Sequence, residues 1–263
     1  MEMLGVDVGG SGIKGAPVDL DTGELTAERL RIATPEPSLP AAVAGGVAQV
    51  VEHFGWEGPI GVTYPGVVIN GTTMTAANMD KGWIGLDAAD LFAQVTGRRV
   101  TVLNDADAAG VAEMAHGAGR DRRGSVLMLT LGTGIGSALF VDGVLVPNTE
   151  FGHIEIRGKD GERRAAARVR KEKDLSWEQW AERLNEYISR LEALVNPELI
   201  ILGGGVSRKA ERFVPLLTDV RAPIVPASLQ NSAGIVGAAM AAAKAAERTL
   251  PNAPGGPAMP PES

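Results

Sequence analysis

A strand–glycine turn–strand unit occurs twice in this 263-residue chain, at residues 4–16 (LGVDVGGSGIKGA) and 129–140 (LTLGTGIGSALF). Both units place small residues at the reversal, where backbone N–H groups can closely approach an anion. Repetition of the hairpin with helices and short strands after it points to weak internal duplication. The expected architecture is two α/β lobes with a cleft between them. Two such turns facing one cleft would grip a phosphate chain from both sides.

The rest of each lobe follows along the chain. Residues 3–20 read as two strands about the first turn and 25–32 as a third. Helical spacing over 41–54 follows Pro40, and a strand over 60–64 ends at Pro65-Gly66. Residues 67–80 read as irregular, with a turn at Asn70-Gly71. A helix over 86–96 capped by Asp87, a buried strand over 100–103 and an alanine-rich helix over 106–116 come next. Segments 125–131, 136–140 and 144–146 repeat the meander. After a charged stretch come an amphipathic helix over 174–195, a strand over 199–202, a helix over 208–217, a strand over 224–227 and an alanine-rich helix over 233–246. The division expected is an N-terminal lobe over 1–104, with the helix at about 233–247 packed back on it, and a C-terminal lobe over 105–232. The proline- and glycine-rich tail at 251–263 is expected to be disordered.

Composition narrows the function. The chain has no cysteine, which excludes disulfides and thiolate zinc sites and favours a reducing, cytoplasmic setting. No apolar run approaches the ~20 residues of a membrane helix. The N-terminus runs directly into a strand, so neither a secretory leader nor a DNA-binding helix-turn-helix is expected ahead of it. The formal net charge is −7, yet residues 157–173 hold eight basic and three acidic side chains, a local +5. No nucleic-acid or membrane partner is expected of so acidic a surface, and any polyanion site must be a local basic patch.

Asp7 precedes Gly9, Gly10, Ser11 and Gly12 near the end of a strand, with Lys14 just beyond. A carboxylate beside a phosphate cradle can hold Mg²⁺, directly or through water. The plain alternative is a tight hairpin that needs glycine for its backbone. The second turn (Thr130, Gly132, Thr133, Gly134, Gly136) and the triplet Gly203-Gly204-Gly205 favour the phosphate reading. Asn104-Asp105 follows a buried strand, where α/β sheets carry their catalytic side chains. Asp105 is the candidate general base for an attacking hydroxyl, or the cap of the next helix, or both; Asp107 is its competitor. Glu150, His153 and Glu155 lie within six residues and suit the paired hydroxyls of a sugar.

Together these residues resemble the ROK family of sugar kinases, whose fold is a two-lobed actin-like ATPase of ribonuclease H-like type. Residues 7–14 resemble its first phosphate motif, 131–136 its second, and 202–206 its adenosine motif, which carries Gly203, Gly204 and Gly205. Asn104-Asp105 is similar to its sugar-binding asparagine and catalytic base, and Glu150, Gly152 and His153 to its E-x-G-H sugar site. Gly66 and Asn78 fall where the family touches sugar. Most members follow the histidine with a cysteine-rich zinc motif; here a basic segment replaces it, so the expectation is no zinc. That replacement resembles the family's polyphosphate glucokinase subgroup. The resemblance implies transfer from inorganic polyphosphate or ATP to O6 of glucose, with Mg²⁺, in a homodimer. Arg163, Arg164, Arg168, Arg170, Lys171 and Lys173 become the candidate polyphosphate contacts, against the alternative of a solvated helix face. A strictly ATP-dependent hexose kinase and a non-catalytic sugar sensor are the rival functions. Trp177 and Trp180 are open between a dimer interface and the core.

Overall fold

The computed structural model describes residues 1–249, so the tail expected at 251–263 lies outside the described residues. The N-terminal half runs β1 (Glu2–Gly9), β2 (Gly12–Asp19), β3 (Glu24–Leu25), β4 (Leu30–Ile32), α1 (Pro40–His53), β5 (Ile60–Tyr64), β6 (Val68–Ile69), β7 (Thr72–Thr73), β8 (Leu86–Asp87), α2 (Ala88–Thr96) and β9 (Val100–Asn104). The remainder is α3 (Asp105–His116), β10 (Ser125–Leu131), β11 (Ile135–Val141), β12 (Val144–Val146), β13 (Glu155–Ile156), β14 (Lys159–Asp160), α4 (Glu162–Ala165), α5 (Ala167–Glu172), α6 (Trp177–Val195), β15 (Leu199–Gly203), β16 (Ile224–Pro226) and α7 (Ala233–Thr249).

The two large sheets have the same plan. One has the order β3-β2-β1-β5-β9, the other β12-β11-β10-β15-β16. In both, a hairpin opens the sheet and two parallel strands extend it. The first reversal joins Gly9 to Gly12 and the second Leu131 to Ile135.

Helices α3 and α7 lie between the sheets. One buried cluster joins Met3, Ala16 and Val18 of the first sheet to Val126, Met128 and Phe140 of the second through Ala109, Ala112, Ile235 and Ala239. Glycines allow the close approach: a Cβ on Gly61 would overlap the Ala238 carbonyl, and one on Gly237 the Ala108 carbonyl. This packing brings the start of α3, at the end of β9, to the junction of the sheets.

Several local expectations change. The strand expected over 25–32 is two short strands, β3 and β4, whose registers on β2 differ by two residues. Pro17 lies between the two pairings; its carbonyl accepts from Thr26, but it has no N–H to return, so the edge ladder is interrupted there. Residues 67–80 are not irregular throughout: Asn70 and Gly71, at φ 50 and 82, reverse the β6–β7 hairpin. β8 adds to it, so the helix expected from residue 86 starts at Ala88, with Asp87 capping Asp90 N at 2.9 Å. Residues 205–216 form 3₁₀ turns rather than the helix expected over 208–217. Trp180 is fully buried and Trp177, partly buried, stacks on Phe213 at 6.0 Å, so both tryptophans pack into the core of this half. No helix among the described residues is long and apolar enough to cross a membrane.

Candidate active site

A cavity of about 590 Å³ lies between the two glycine turns, lined by Gly10 and Ser11 from one and by Thr130 and residues 132–136 from the other. Its floor is the end of β9. There Asn104 caps α3, its Oδ1 accepting from Ala106 N at 2.8 Å and Asp107 N at 3.0 Å. The capping role that suited Asp105 therefore falls chiefly to Asn104, although Asp105 Oδ1 also accepts from Ala106 N at 2.8 Å. Asn104 Nδ2 donates to the Gly66 carbonyl at 3.0 Å, which ties the floor to the Pro65-Gly66 wall.

Asp105 lies deep in the cleft among carboxylates. Its pKa is pushed up to about 7, chiefly by burial, then by the charge of Asp7, against the bond from Ala106 N. Asp7 is held by Lys14 Nζ at 3.2 Å on Oδ2 and by Thr63 Oγ1 at 3.0 Å on Oδ1. Asp107 is raised to about 6 by burial, and its Oδ2 accepts from Asn148 N at 2.8 Å. It lies beyond the cavity lining, so Asp105 is the better placed of the two aspartates.

The opposite wall carries Glu150 and His153. Ser137 brackets Glu150: its Oγ donates to Thr149 O at 2.7 Å and accepts from Phe151 N at 3.0 Å. Gly152 explains the spacing of this motif, because a Cβ there would overlap the Ile135 carbonyl. Burial raises the Glu150 pKa, the charge of His153 opposes the rise, and Glu162 adds to it. His153 stands 3.8 Å from Glu150 Oε2 and 3.5 Å from Asp160 Oδ2.

Gly66, Asn78, Asn104, Asp105, Glu150 and His153 all line the cavity, as does Gly204. Glu155 does not. It opens on a separate groove of about 980 Å³ with Arg157, Arg164 and Glu186, because the β13–β14 hairpin turns it away. Glu162, not anticipated, takes a place in the cavity wall and accepts from Ile135 N at 3.1 Å. Its signal was hidden within the basic run. Thr63, Ser137 and Asn148 were also missed, since neither their types nor their spacing mark them.

The six candidate polyphosphate residues lie outside the cavity lining. Arg164 bonds Glu186 at 2.8 Å on the separate groove. Arg170 lies 4.0 Å over the Trp177 ring and donates to Leu175 O at 3.1 Å. These two hold the fold. Arg163 and Arg168 make loose pairs with Asp160 and Glu172 at 3.7 and 3.6 Å, while Lys171 and Lys173 are exposed. Of the phosphate-turn residues, Gly9, Gly12 and Lys14 support the cradle from behind the lining, and Gly203 and Gly205 flank Gly204 in the same way.

Comparison with known proteins agrees with this geometry. The family model described as "ROK family" matches residues 3–169. The chain is 56% identical over 239 residues to the polyphosphate glucokinase of Mycobacterium tuberculosis, covering 90% of each chain. Its fold superposes with a TM-score of 0.90 on the inorganic polyphosphate/ATP-glucomannokinase of Arthrobacter sp. strain KM, at 48% identity, covering 93% of this chain and 99% of that one. A glucokinase of Streptomyces griseus shares the fold at a TM-score of 0.80 and 24% identity. With two matching sheets about a cleft and the motifs of residues 7–14, 104–105, 131–136 and 150–153 gathered in it, the chain belongs to the ROK family and has its two-lobed actin-like ATPase fold.

Proposed function

We infer that this protein is a glucokinase that transfers a phosphoryl group from inorganic polyphosphate to O6 of glucose. The observation that carries the reading is the Asp105 carboxylate, raised to about 7, at the floor of a cavity bounded by both glycine turns. The similarity to the polyphosphate glucokinase and the polyphosphate/ATP-glucomannokinase supports the donor and the acceptor. ATP is proposed as a second donor. The similarity to the polyphosphate/ATP-glucomannokinase supports it, and Gly204, which lines the cavity at φ 82, packs its backbone against Leu131 beside the second turn, where no side chain fits.

In this reading Asn104, Glu150, His153 and Glu162 hold the sugar hydroxyls, and Gly66 and Asn78 form the facing wall. Glu162 replaces Glu155 in that set. Asp105 accepts the O6 proton as O6 attacks the terminal phosphorus. The new bond is O6–P, and the bond that breaks joins that phosphorus to the rest of the donor, which leaves one phosphate shorter. Backbone N–H groups of the two turns hold the transferred group, with Ser11 and Thr133 beside it. Residues 1–104 with α7, and residues 105–232, act as lobes whose closure excludes water.

Mg²⁺ fits the chemistry of the cleft. Asp7 lies outside the cavity lining but acts by its charge on Asp105, and both Asp7 oxygens have partners, which suits contact with the ion through water. When bound, Mg²⁺ neutralises charge on the phosphate oxygens. The decisive experiment supplies glucose, Mg²⁺ and polyphosphate with no nucleotide and measures glucose 6-phosphate. Product formation is expected; product with ATP alone would establish the strictly ATP-dependent alternative.

A further inference from the structure

Directly opposed residues on neighbouring strands share a face of the sheet. Arg31 on β4 stands opposite Lys14 on β2, Lys14 opposite Asp7 on β1, and Asp7 beside Thr63 on β5. This makes a polar row that starts at the sheet edge and whose inner member Asp7 acts by its charge on Asp105. The inner part of the row is satisfied by the Lys14–Asp7 ion pair and the Thr63 hydroxyl. The outer end is not. Arg31 is exposed and, among the described residues, forms no ion pair.

Arg31 instead leans across the first glycine turn. Its Nη2 donates to the Ser11 carbonyl at 3.2 Å. Gly12 makes room, since a Cβ there would stand 3.1 Å from Arg31 Nε. The Ser11 carbonyl uses one of the five N–H donors of the guanidinium, which leaves most of the planar fork free beside a turn that lines the cavity.

We propose that Arg31 is a donor-binding residue. Its guanidinium takes phosphoryl oxygens of the polyphosphate chain just beyond the phosphate seated on the Gly10-Ser11 turn. The proposal rests on the polyphosphate-donor reading above; Arg31, like the 163–173 candidates, stands outside the cavity lining, but it bonds directly to Ser11 of the turn that forms the cavity edge. The donor is then held from the N-terminal lobe as well, by a fork whose geometry matches phosphate bidentately.

The test compares wild type, Arg31→Ala and Arg31→Lys with long-chain polyphosphate over a range of KCl concentrations. Arg122→Ala is the control, an exposed arginine before β10 and so at the opposite end of that strand from its glycine turn. In Arg31→Ala the KM for polyphosphate should rise about tenfold, and the slope of log KM against log salt should fall by about one, as loss of one phosphate contact requires. Arg31→Lys keeps the charge without the fork and should fall between. Titration of polyphosphate into each protein without glucose should give the same ranking in Kd. The KM for glucose and the control should stay within twofold of wild type. A polyphosphate KM within twofold in Arg31→Ala, an equal rise in the glucose KM, or an equal rise in Arg122→Ala overturns the proposal. Absence of product from polyphosphate with the wild type is a separate result, and it overturns the donor reading itself.

Discussion

The side-chain amide of Asn148 closes a ring of two hydrogen bonds on the backbone of Val68: Oδ1 accepts from Val68 N at 2.9 Å, and Nδ2 donates to Val68 O at 2.9 Å. The two residues lie eighty positions apart. The pair joins the segment that carries Glu150 to the hairpin after Gly66, and Asp107 Oδ2 fixes the Asn148 backbone from behind. Asn148 has φ 59, a conformation asparagine and glycine tolerate well. Asn148→Gly therefore removes the clasp without backbone strain. It should cost about 1–3 kcal/mol in chemical denaturation and raise the KM for glucose severalfold, with the KM for polyphosphate unchanged. A glucose KM equal to wild type would show that the clasp is only structural.

Asp105→Asn should lower kcat by about 10²–10⁴-fold, the range for loss of a general base. Stability should move in the opposite direction. The folded-state pKa is about 7 against an ordinary 3.8, so the charged form is disfavoured in the folded protein. The cost accumulates as pH rises from about 4 to about 7 and is constant above that. At pH 8 the asparagine variant should thus be more stable by ~1–2 kcal/mol, after discounting for water in the cleft. At pH 4 the two proteins should melt nearly together. A lower Tm for the variant at pH 8 would contradict this assignment.

The same carboxylate sets the pH profile. A base with pKa about 7 is protonated below that pH, so kcat/KM for glucose should fall about tenfold per pH unit on the acid side and level off above pH 7. Steady-state rates from pH 5 to 9 would locate the midpoint. A profile flat down to pH 5 would argue that Asp105 does not accept the proton.

Glu113 is fully buried on α3 and accepts from Ala118 N at 2.8 Å, Ser228 N at 3.0 Å and Leu229 N at 2.7 Å. It ties the helix below the site to the segment before α7. Glu113→Ala leaves three backbone donors without a partner and should cost about 3–4 kcal/mol. A Tm drop of roughly 10 °C is expected, with KM values of the folded fraction at 20 °C unchanged.

Gly237 tests the helix pair between the sheets. In Gly237→Ala the new Cβ overlaps the Ala108 carbonyl, backbone against backbone, so neither side can yield by a rotamer change. The variant should lose at least ~3 kcal/mol or fail to accumulate as folded protein. Gly143→Ala adds a Cβ in open space, although its φ of 80 still strains the turn, so it should cost only ~1–2 kcal/mol.

Sequence alone determined what is local. The two reversals require small residues at fixed places, the buried strands are continuous apolar runs, and amphipathic spacing marks α6, although the Ser176–Gln179 capping box starts it at Trp177 rather than at residue 174. Much of the lining, from Ser11 to His153, is legible in the sequence as turns and strand ends placed by their own backbone and, for Gly66 and Asn78, through the family resemblance, whereas the packing of the two halves makes the turns face one cleft. Tertiary structure decided which way side chains face once the backbone is irregular. Glu155 and Glu162 are both acidic and seven positions apart, yet a two-strand hairpin sends the first to the outer groove and a short helix sends the second into the cleft. The +5 of residues 157–173 is a sum without direction. Glu186 and Trp177, brought in by α6, draw Arg164 and Arg170 away from the site. Likewise, only the pairing of β4 with β2 lays Arg31 across Gly12, and only the packing of the two halves brings Asn148 to Val68. These relations depend on contacts between residues distant in the chain, and no local pattern encodes them.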